Sequence, residues 1–342
     1  MKRVQIIITT IRVLIIVSLL SFESNAQIDF KDFVVTEKFI WALTTTGQIK
    51  LFDKAGSQID KRIINSSEIL FIAKDKLKNP IIIDSENKIK RYKESDDSWA
   101  IISKYKDNCF GVVFNSKNEC YLITDKGIKD LQTQKTYFSK ESLNEQITYK
   151  DKWGKPYCYF MDRNDKIWIG FGYGEWGGNL FVFETKNKKF EKVELDSFQI
   201  SLWPVKSFFE DSSSVYLSTG LQHMMTSGAI VRFDNLKASF LFKSDYGGEY
   251  IGPAIYNENT NTIYFYSQNG IFKGEKKSDL SKIENWKVIL KPKLNWKYGQ
   301  PDAVGSPMNV LKIATLENNG LIFLSQNDGI GYFDGAELKM LK

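Results

Sequence analysis

Few residues of this sequence have the types and spacing that a reaction needs. His223 is the only histidine among the 342 residues, so any acid/base catalysis by an imidazole must use it. Glu175 and Asp302 lie in segments between strand-like runs, and they suit an acid/base pair of the glycosidase type if the fold brings them together. The sequence contains no G-x-S-x-G elbow. The enzyme hypothesis is therefore a hydrolase or lyase acting on a polysaccharide or peptide, with these three residues as its catalytic groups.

Two other short patterns are better explained as turns. The sequence D-R-N-D from Asp162 begins like a calcium loop, but its twelfth position is Tyr173 rather than glutamate. Five glycines lie between Gly170 and Gly178, as in a phosphate-binding loop. However, the strand-like run N-L-F-V-F-E follows them where such a loop would require a helix. We therefore expect no metal ion and no cofactor.

Aromatic residues in the long segments form a larger group of candidates. Exposed rings accompanied by a few polar groups suit sugar rings or peptide side chains. The predicted ligand-binding residues are Tyr173, Glu175, Trp176, His223, Trp296 and Tyr298. Trp153 lies in a similar segment and is expected at the same rim. The alternative is that these rings pack on one another and close their own loops.

A repeat determines where these candidates are placed. Seven times, a strand-like run and a turn are followed by an aliphatic residue and then by an aromatic or apolar residue. The aliphatic positions are Ile49, Ile89, Ile128, Leu180, Ile230, Ile271 and Ile330. Their separations of 40, 39, 52, 50, 41 and 59 residues are typical of four-stranded propeller blades. The sequence therefore predicts an all-β fold, a seven-bladed β-propeller formed by residues 27–342.

The turn between the second and third predicted strands is longer in blades 4 and 5. The spacing is 12 residues from Trp168 to Leu180 and 14 residues from Tyr216 to Ile230, against 7 or 8 in blades 1, 3 and 6. The connections before blades 4 and 7 are also long. In a propeller these turns and connections share one face, so we expect the ligand there, where loops project from a rigid scaffold.

The blade that begins at Asp162 resembles the repeats of the two-component regulator propeller family of bacterial periplasmic sensors. Those repeats contain an Asp, a turn, an aliphatic-Trp-aliphatic-Gly strand, then Gly-Gly-Leu and an aromatic strand. The matching residues are Asp162, Ile167, Trp168, Ile169, Gly170, Gly177, Gly178, Leu180 and Phe183. The other blades match by pattern, and Trp41 is the only other tryptophan at the strand position. Family sensors often continue into a membrane helix and a kinase, so we expect this chain, ending at Lys342, to be a stand-alone propeller.

Residues 1–26 have the pattern of a secretory signal peptide. Basic residues up to Arg12 precede an apolar core from Val13 to Leu20, and small residues follow up to Ala26. We expect cleavage before Gln27, a periplasmic or secreted protein, and no membrane span after cleavage. An uncleaved anchor is the alternative, although Arg12 interrupts its apolar run. Because no cysteine precedes Cys109, a lipoprotein anchor is not expected.

The charge and the cysteines exclude further classes of protein. Without residues 1–26 the net charge falls from +6 to +4, and the lysines are scattered, which is typical of a solvated surface rather than a nucleic-acid site. The spacing of Cys109, Cys120 and Cys158 forms no C-x-x-C motif. Either Cys109 and Cys120 form a disulfide, or all three cysteines are buried free thiols.

These observations favour one function over another. We expect an exported, monomeric, non-catalytic propeller that binds a protein, peptide or glycan on the face carrying the expanded loops of blades 4, 5 and 7. The hydrolase or lyase is the alternative, and it requires Glu175, His223 and Asp302 to converge in one pocket.

Overall fold

A computed structural model of the chain gives the arrangement of most residues. The described residues are 29–61, 63, 65–141, 143, 149–173, 177–223, 225–294, 309–317 and 319–341. Outside them lie the predicted signal segment 1–26 and the candidates Glu175, Trp176, Trp296, Tyr298 and Asp302. Within the described ranges, 28 strands form seven four-stranded antiparallel sheets. The predicted all-β fold, a seven-bladed β-propeller, is confirmed.

Each of the first four blades consists of four consecutive strands. Blade 1 contains β1 (Phe30–Val35), β2 (Ile40–Thr44), β3 (Ile49–Phe52) and β4 (Gln58–Ile59). Blade 2 contains β5 (Ile69–Lys74), β6 (Pro80–Asp84), β7 (Lys88–Lys93) and β8 (Ser98–Lys104). Blade 3 contains β9 (Cys109–Phe114), β10 (Cys120–Thr124), β11 (Gly127–Asp130) and β12 (Thr136–Tyr137). Blade 4 contains β13 (Cys158–Met161), β14 (Lys166–Gly172), β15 (Gly178–Glu184) and β16 (Lys189–Glu191).

The last three blades follow the same plan. Blade 5 contains β17 (Val205–Glu210), β18 (Val215–His223), β19 (Met225–Asp234) and β20 (Lys237–Lys243). Blade 6 contains β21 (Ala254–Asn257), β22 (Thr262–Ser267), β23 (Gly270–Glu275) and β24 (Trp286–Leu290). Blade 7 contains β25 (Val310–Thr315), β26 (Leu321–Ser325), β27 (Gly329–Phe333) and β28 (Leu338–Leu341). Among the described residues the helical segments are two 3-10 turns, Ile200–Leu202 and Ile283–Asn285, and neither is long and apolar enough to cross a membrane.

Burial increases from the axis of the ring to the second strand of each blade. The first strands of adjacent blades contact one another, so they surround a central channel. The second strands of blades 1, 2, 3, 6 and 7 are buried at every position, because neighbouring blades cover both of their faces. All seven aliphatic positions found in the sequence repeat lie in third strands and are buried. The repeat therefore identified one equivalent position in every blade.

A buried acidic residue closes the first turn of blades 4 and 5. Asp162 Oδ1 accepts hydrogen bonds from the backbone N–H groups of Asn164 (2.9 Å) and Lys166 (2.8 Å). Asp162 Oδ2 accepts the indole N–H of Trp168 at 2.8 Å. In blade 5, Asp211 Oδ2 accepts the hydroxyl of Tyr216 at 2.6 Å. The D-R-N-D segment is therefore a turn between strands that is tied to the aromatic residue of the second strand.

The chain closes the ring without exchanging a strand between its two ends. Phe33 of blade 1 and Tyr332 of blade 7 belong to one buried cluster across the junction. Lys312 donates to Asp32 Oδ1 at 2.7 Å and to the Phe33 carbonyl at 2.8 Å, and the Tyr332 hydroxyl donates to the Lys54 carbonyl at 2.9 Å. Closure therefore depends on side-chain packing and a few hydrogen bonds rather than on a shared sheet.

The three cysteines are free thiols. Cys109 and Cys120 are buried and Cys158 is partly buried. The possible bridge between Cys109 and Cys120 is absent, because Cys109 lies opposite Thr124 and Cys120 lies opposite Phe114 in their strand pair. Burial raises the pKa of the Cys109 thiol to about 12, so this group stays protonated and behaves as an apolar side chain.

Candidate ligand-binding face

The turns between second and third strands lie on the same face as the connections between blades, as predicted. In the connection before blade 4, the Trp153 N–H donates to the Asp125 carbonyl in the β10–β11 turn at 2.7 Å. The Tyr157 N–H donates to the Gly170 carbonyl of β14 at 2.9 Å. We call this side of the ring the connector face.

The extra length of blades 4 and 5 forms extended hairpins rather than long irregular turns. In blade 4 the β14–β15 ladder continues to the pair Gly172 and Gly178. In blade 5 the β18–β19 ladder continues to the pair His223 and Met225. In blade 1, by comparison, the β2–β3 pairing ends at Leu43 and Ile49. The expected expansion therefore lies at the predicted positions, but most of it is paired strand.

The glycines of these hairpins make room for the next connection of the chain. A β-carbon on Gly178 would overlap the carbonyl oxygen of Trp203, and one on Gly170 would overlap the side chain of Val205. In blade 5, a β-carbon on Gly228 would overlap the backbone nitrogen of Ile251. Each hairpin is therefore supported by the connection into the following blade, and close backbone approach explains the glycine-rich stretch.

Substitution of Gly178 by alanine tests this close approach. We expect a loss of about 2 kcal/mol in the free energy of unfolding, because the methyl group meets a backbone carbonyl that cannot rotate away. Urea titration measures the change. Gly154→Ala is the matched control, because no heavy atom lies within 4 Å of its added β-carbon. Equal stability of the two variants would show that the connection does not rest on Gly178.

Two of the predicted rim aromatics take part in packing. Trp153 is buried, stacks on Phe181 with a centroid distance of 5.1 Å, and donates its indole N–H to the Ser139 carbonyl at 2.9 Å. Its expected place at the rim is wrong, because the long connection folds it inward against blades 3 and 4. Tyr173 is half-buried and lies parallel to Phe171 at 6.2 Å, and burial raises the pKa of its hydroxyl. Its predicted ligand contact remains a prediction.

The other predicted residues are only partly placed. His223 is the last residue of β18, so its backbone lies near the tip of the blade 5 hairpin on the connector face. Glu175 and Asp302 lie outside the described residues, as do Trp176, Trp296 and Tyr298. The convergence that the enzyme hypothesis requires therefore remains a hypothesis.

Four large apolar side chains are exposed on the connector face of blades 4 to 6. Tyr246, in the connection before blade 6, is 69% exposed, and Met225, near the tip of the blade 5 hairpin, is 52% exposed. Tyr157 and Leu202 belong to the connections before blades 4 and 5. Sequence reasoning missed all four of these residues, because periodicity describes strands and says nothing about which way a connection turns its side chains.

A second feature that the sequence did not indicate lies in the first strands. The pairing register of five of them shifts at the second residue, which leaves one extra residue in the strand. These residues are Lys31, Leu70, Phe110, Lys206 and Leu311. Each follows a buried residue but is itself only partly buried or exposed. Bulges commonly redirect side chains, and here they surround the channel where it opens on the connector face.

Lys206 has the most unusual surroundings of these residues. Its ammonium nitrogen lies 5.0 Å from the centre of the Tyr157 ring and 5.7 Å from that of Tyr250. Burial lowers the pKa of the Lys206 ammonium to about 8, and only the nearby Cys158 thiol acts in the opposite direction. Among the described residues, neither a hydrogen-bond acceptor nor a carboxylate partner contacts this ammonium. Perturbed groups of this kind are concentrated at functional sites.

The opposite end of the channel also contains lysines, but their environment differs. A cavity of about 300 Å³ there is lined by Lys54, Lys74, Lys78 and Lys312, together with Glu37 and Glu317. Lys74 donates to the Val35 carbonyl at 3.2 Å. Burial and the three neighbouring lysines lower the pKa of Lys74. Each of these lysines has a carbonyl or carboxylate oxygen as a partner, and the carboxylates that line the cavity offset part of its positive charge.

Comparison with known proteins supports the fold. No family model and no curated protein matches the chain. Two similar solved structures are extracellular domains described as belonging to hybrid two-component systems of B. thetaiotaomicron. They are 14% and 15% identical, with TM-scores of 0.58 and 0.55, and each match covers 91% of this chain and 38% or 40% of the other.

A third similar structure is PorZ of Porphyromonas gingivalis, described as a surface component of the type-IX secretion system. It is 11% identical, with a TM-score of 0.54, over 92% of this chain and 47% of PorZ. This chain thus spans less than half the length of these three proteins. In fold, it is a seven-bladed β-propeller that resembles extracellular domains of two-component systems.

Proposed function

We propose that this protein is a non-catalytic binding propeller that acts in the periplasm or outside the cell. Its ligand, a protein, peptide or glycan, binds the connector face on the hairpins of blades 4 and 5 and the connection before blade 7. The observation that carries the proposal is the group of exposed apolar side chains on this face, of which Tyr246 and Met225 are the most exposed.

The construction of the face supports this role. The hairpins of blades 4 and 5 are paired strands that rest on the following connection, so a ligand loses less free energy in ordering them than in ordering irregular loops. Exposed apolar groups gathered on one face are typical of interaction sites. The resemblance to extracellular domains agrees with the signal peptide predicted for residues 1–26.

Binding measurements on surface variants test the proposal. Wild-type protein is screened on peptide and glycan arrays, and the affinity for each ligand found is measured by calorimetry. We expect Tyr246→Ala and Trp176→Ala to weaken binding about tenfold or more, as truncation of an aromatic contact commonly does. Their melting temperatures should stay unchanged, since Tyr246 is largely solvent-exposed.

The control is Ile101→Ala, which truncates an apolar side chain that is 52% exposed on the outer strand β8, away from the connector face. This variant should bind like the wild type. Ligand binding that survives both connector-face substitutions, or that is equally weakened by Ile101→Ala, would refute the proposed face.

A further inference from the structure

We infer that the Lys206 ammonium, held between the rings of Tyr157 and Tyr250 where the central channel opens on the connector face, binds a carboxylate group of the ligand. The inference rests on the proposed function, because it assigns one chemical group of that ligand to one place on the same face.

Three adjacent blades bring these residues together. Lys206 is the bulged second residue of β17, the first strand of blade 5. Tyr157 directly precedes β13 of blade 4, and Tyr250 lies shortly before β21 of blade 6. Because first strands surround the axis, the ammonium lies between two rings from the flanking blades at the edge of the channel.

Lys206 differs from the other lysines of the described first strands in its lack of an oxygen partner. Lys31 donates to the Ile69 carbonyl at 3.2 Å, and Lys74 donates to a carbonyl of blade 1. Lys312 has both a carboxylate and a carbonyl. The rings beside Lys206 attract a cation but accept no strong hydrogen bond. Its three N–H donors are therefore available to an incoming group.

The arrangement suits a carboxylate better than a more highly charged anion. One ammonium balances one negative charge, and surroundings poor in water strengthen that attraction. Burial raises the pKa of Tyr250, so its hydroxyl stays protonated and remains a donor. A carboxylate has two oxygens that can accept from the ammonium and from a phenol together.

The test measures the titration of Lys206 in the whole protein by NMR of ¹³C-labelled lysine, using acetate as the probe. We expect saturable binding of acetate and a rise of about one unit in the pKa of Lys206, because a neighbouring negative charge favours the protonated amine. Acetamide, which is neutral, and inorganic phosphate should cause smaller shifts. An equal shift with acetamide or phosphate, or none with acetate, would overturn the inference.

Two further probes distinguish the source of the carboxylate. Galacturonate represents an acidic sugar, and N-acetylalanine represents the carboxyl end of a peptide. Lys206→Met should abolish the binding of either probe, whereas Lys74→Met, which removes a lysine from the opposite channel opening, should leave it unchanged. Loss of binding in Lys74→Met alone would place the site at the wrong end of the channel and overturn the inference.

The results separate this inference from the proposed function. Array ligands that bind to wild type and to Lys206→Met with equal affinity would overturn the carboxylate site and leave the proposed face intact. The opposite outcome is that acetate shifts the pKa of Lys206, but no array ligand loses affinity when Tyr246 or Trp176 is replaced. That outcome would support the carboxylate site and count against the proposed face.

Discussion

Replacement of Trp168 by alanine is expected to lower the free energy of unfolding by about 3–5 kcal/mol. The indole is almost completely buried and packs between blades 4 and 5, 5.1 Å from the Phe233 ring and 6.0 Å from the Phe208 ring. Alanine would leave a large cavity at this junction. It would also remove the indole N–H from Asp162 Oδ2, a buried carboxylate oxygen that water reaches poorly.

Urea titration of Trp168→Ala, Trp168→Phe and Asp162→Asn measures these contributions. Trp168→Phe retains most of the packing and loses the hydrogen bond, so it should cost clearly less than alanine. The effects of Trp168→Phe and Asp162→Asn should not add, because both remove the same hydrogen bond. A loss below about 1 kcal/mol for Trp168→Ala would mean that the blade junction does not depend on this side chain.

The second large effect is a gain in stability from Lys206→Met at pH 7. Burial lowers the pKa of Lys206 from 10.5 to about 8, so protonated Lys206 favours the unfolded chain. A shift of this size corresponds to at most about 3 kcal/mol. Methionine retains much of the apolar stem and removes the charge, so the variant should unfold at a higher urea concentration.

The pH dependence of this gain follows from the direction of the shift. Below about pH 8 the amine is protonated in both states, and the full cost of burying its charge is present. Between pH 8 and 10.5 the unfolded chain still binds the proton that the native protein has released, so the stability of wild type rises relative to Lys206→Met. The advantage of the variant should therefore shrink through this range and be nearly absent above it.

Unfolding of both proteins at pH 7 and pH 10.5 checks this expectation, and Lys206→Arg, which keeps a positive charge at both values, is the control. A variant that is less stable than wild type at pH 7 would contradict it. A side chain that served only for packing would not need a buried amine that lowers the stability of the fold. The free-energy cost of burying this charge is therefore the physical argument that Lys206 serves binding.

Turn chemistry and strand periodicity, which are local, are visible in the sequence. Asp162 and Trp168 lie six residues apart and are joined by one hydrogen bond, so the repeat pattern of the blade that contains them is easily recognised in the sequence. The aliphatic positions from Ile49 to Ile330 are buried in every third strand because the same packing recurs in each blade. These features are sufficient to predict seven blades, their order and the face on which turns and connections meet.

The binding chemistry depends on contacts between distant parts of the chain. Trp153 was predicted at the rim because it is an aromatic residue in a long connection, but that connection turns its side chain into the core against Phe181. Lys206 is an ordinary lysine in the sequence, because its bulge and its two tyrosine neighbours come from three different blades. Local sequence patterns thus determined the fold, a ring of seven blades. Only the tertiary structure decided which side chains meet at the centre of the ring and how deeply their charged groups are buried.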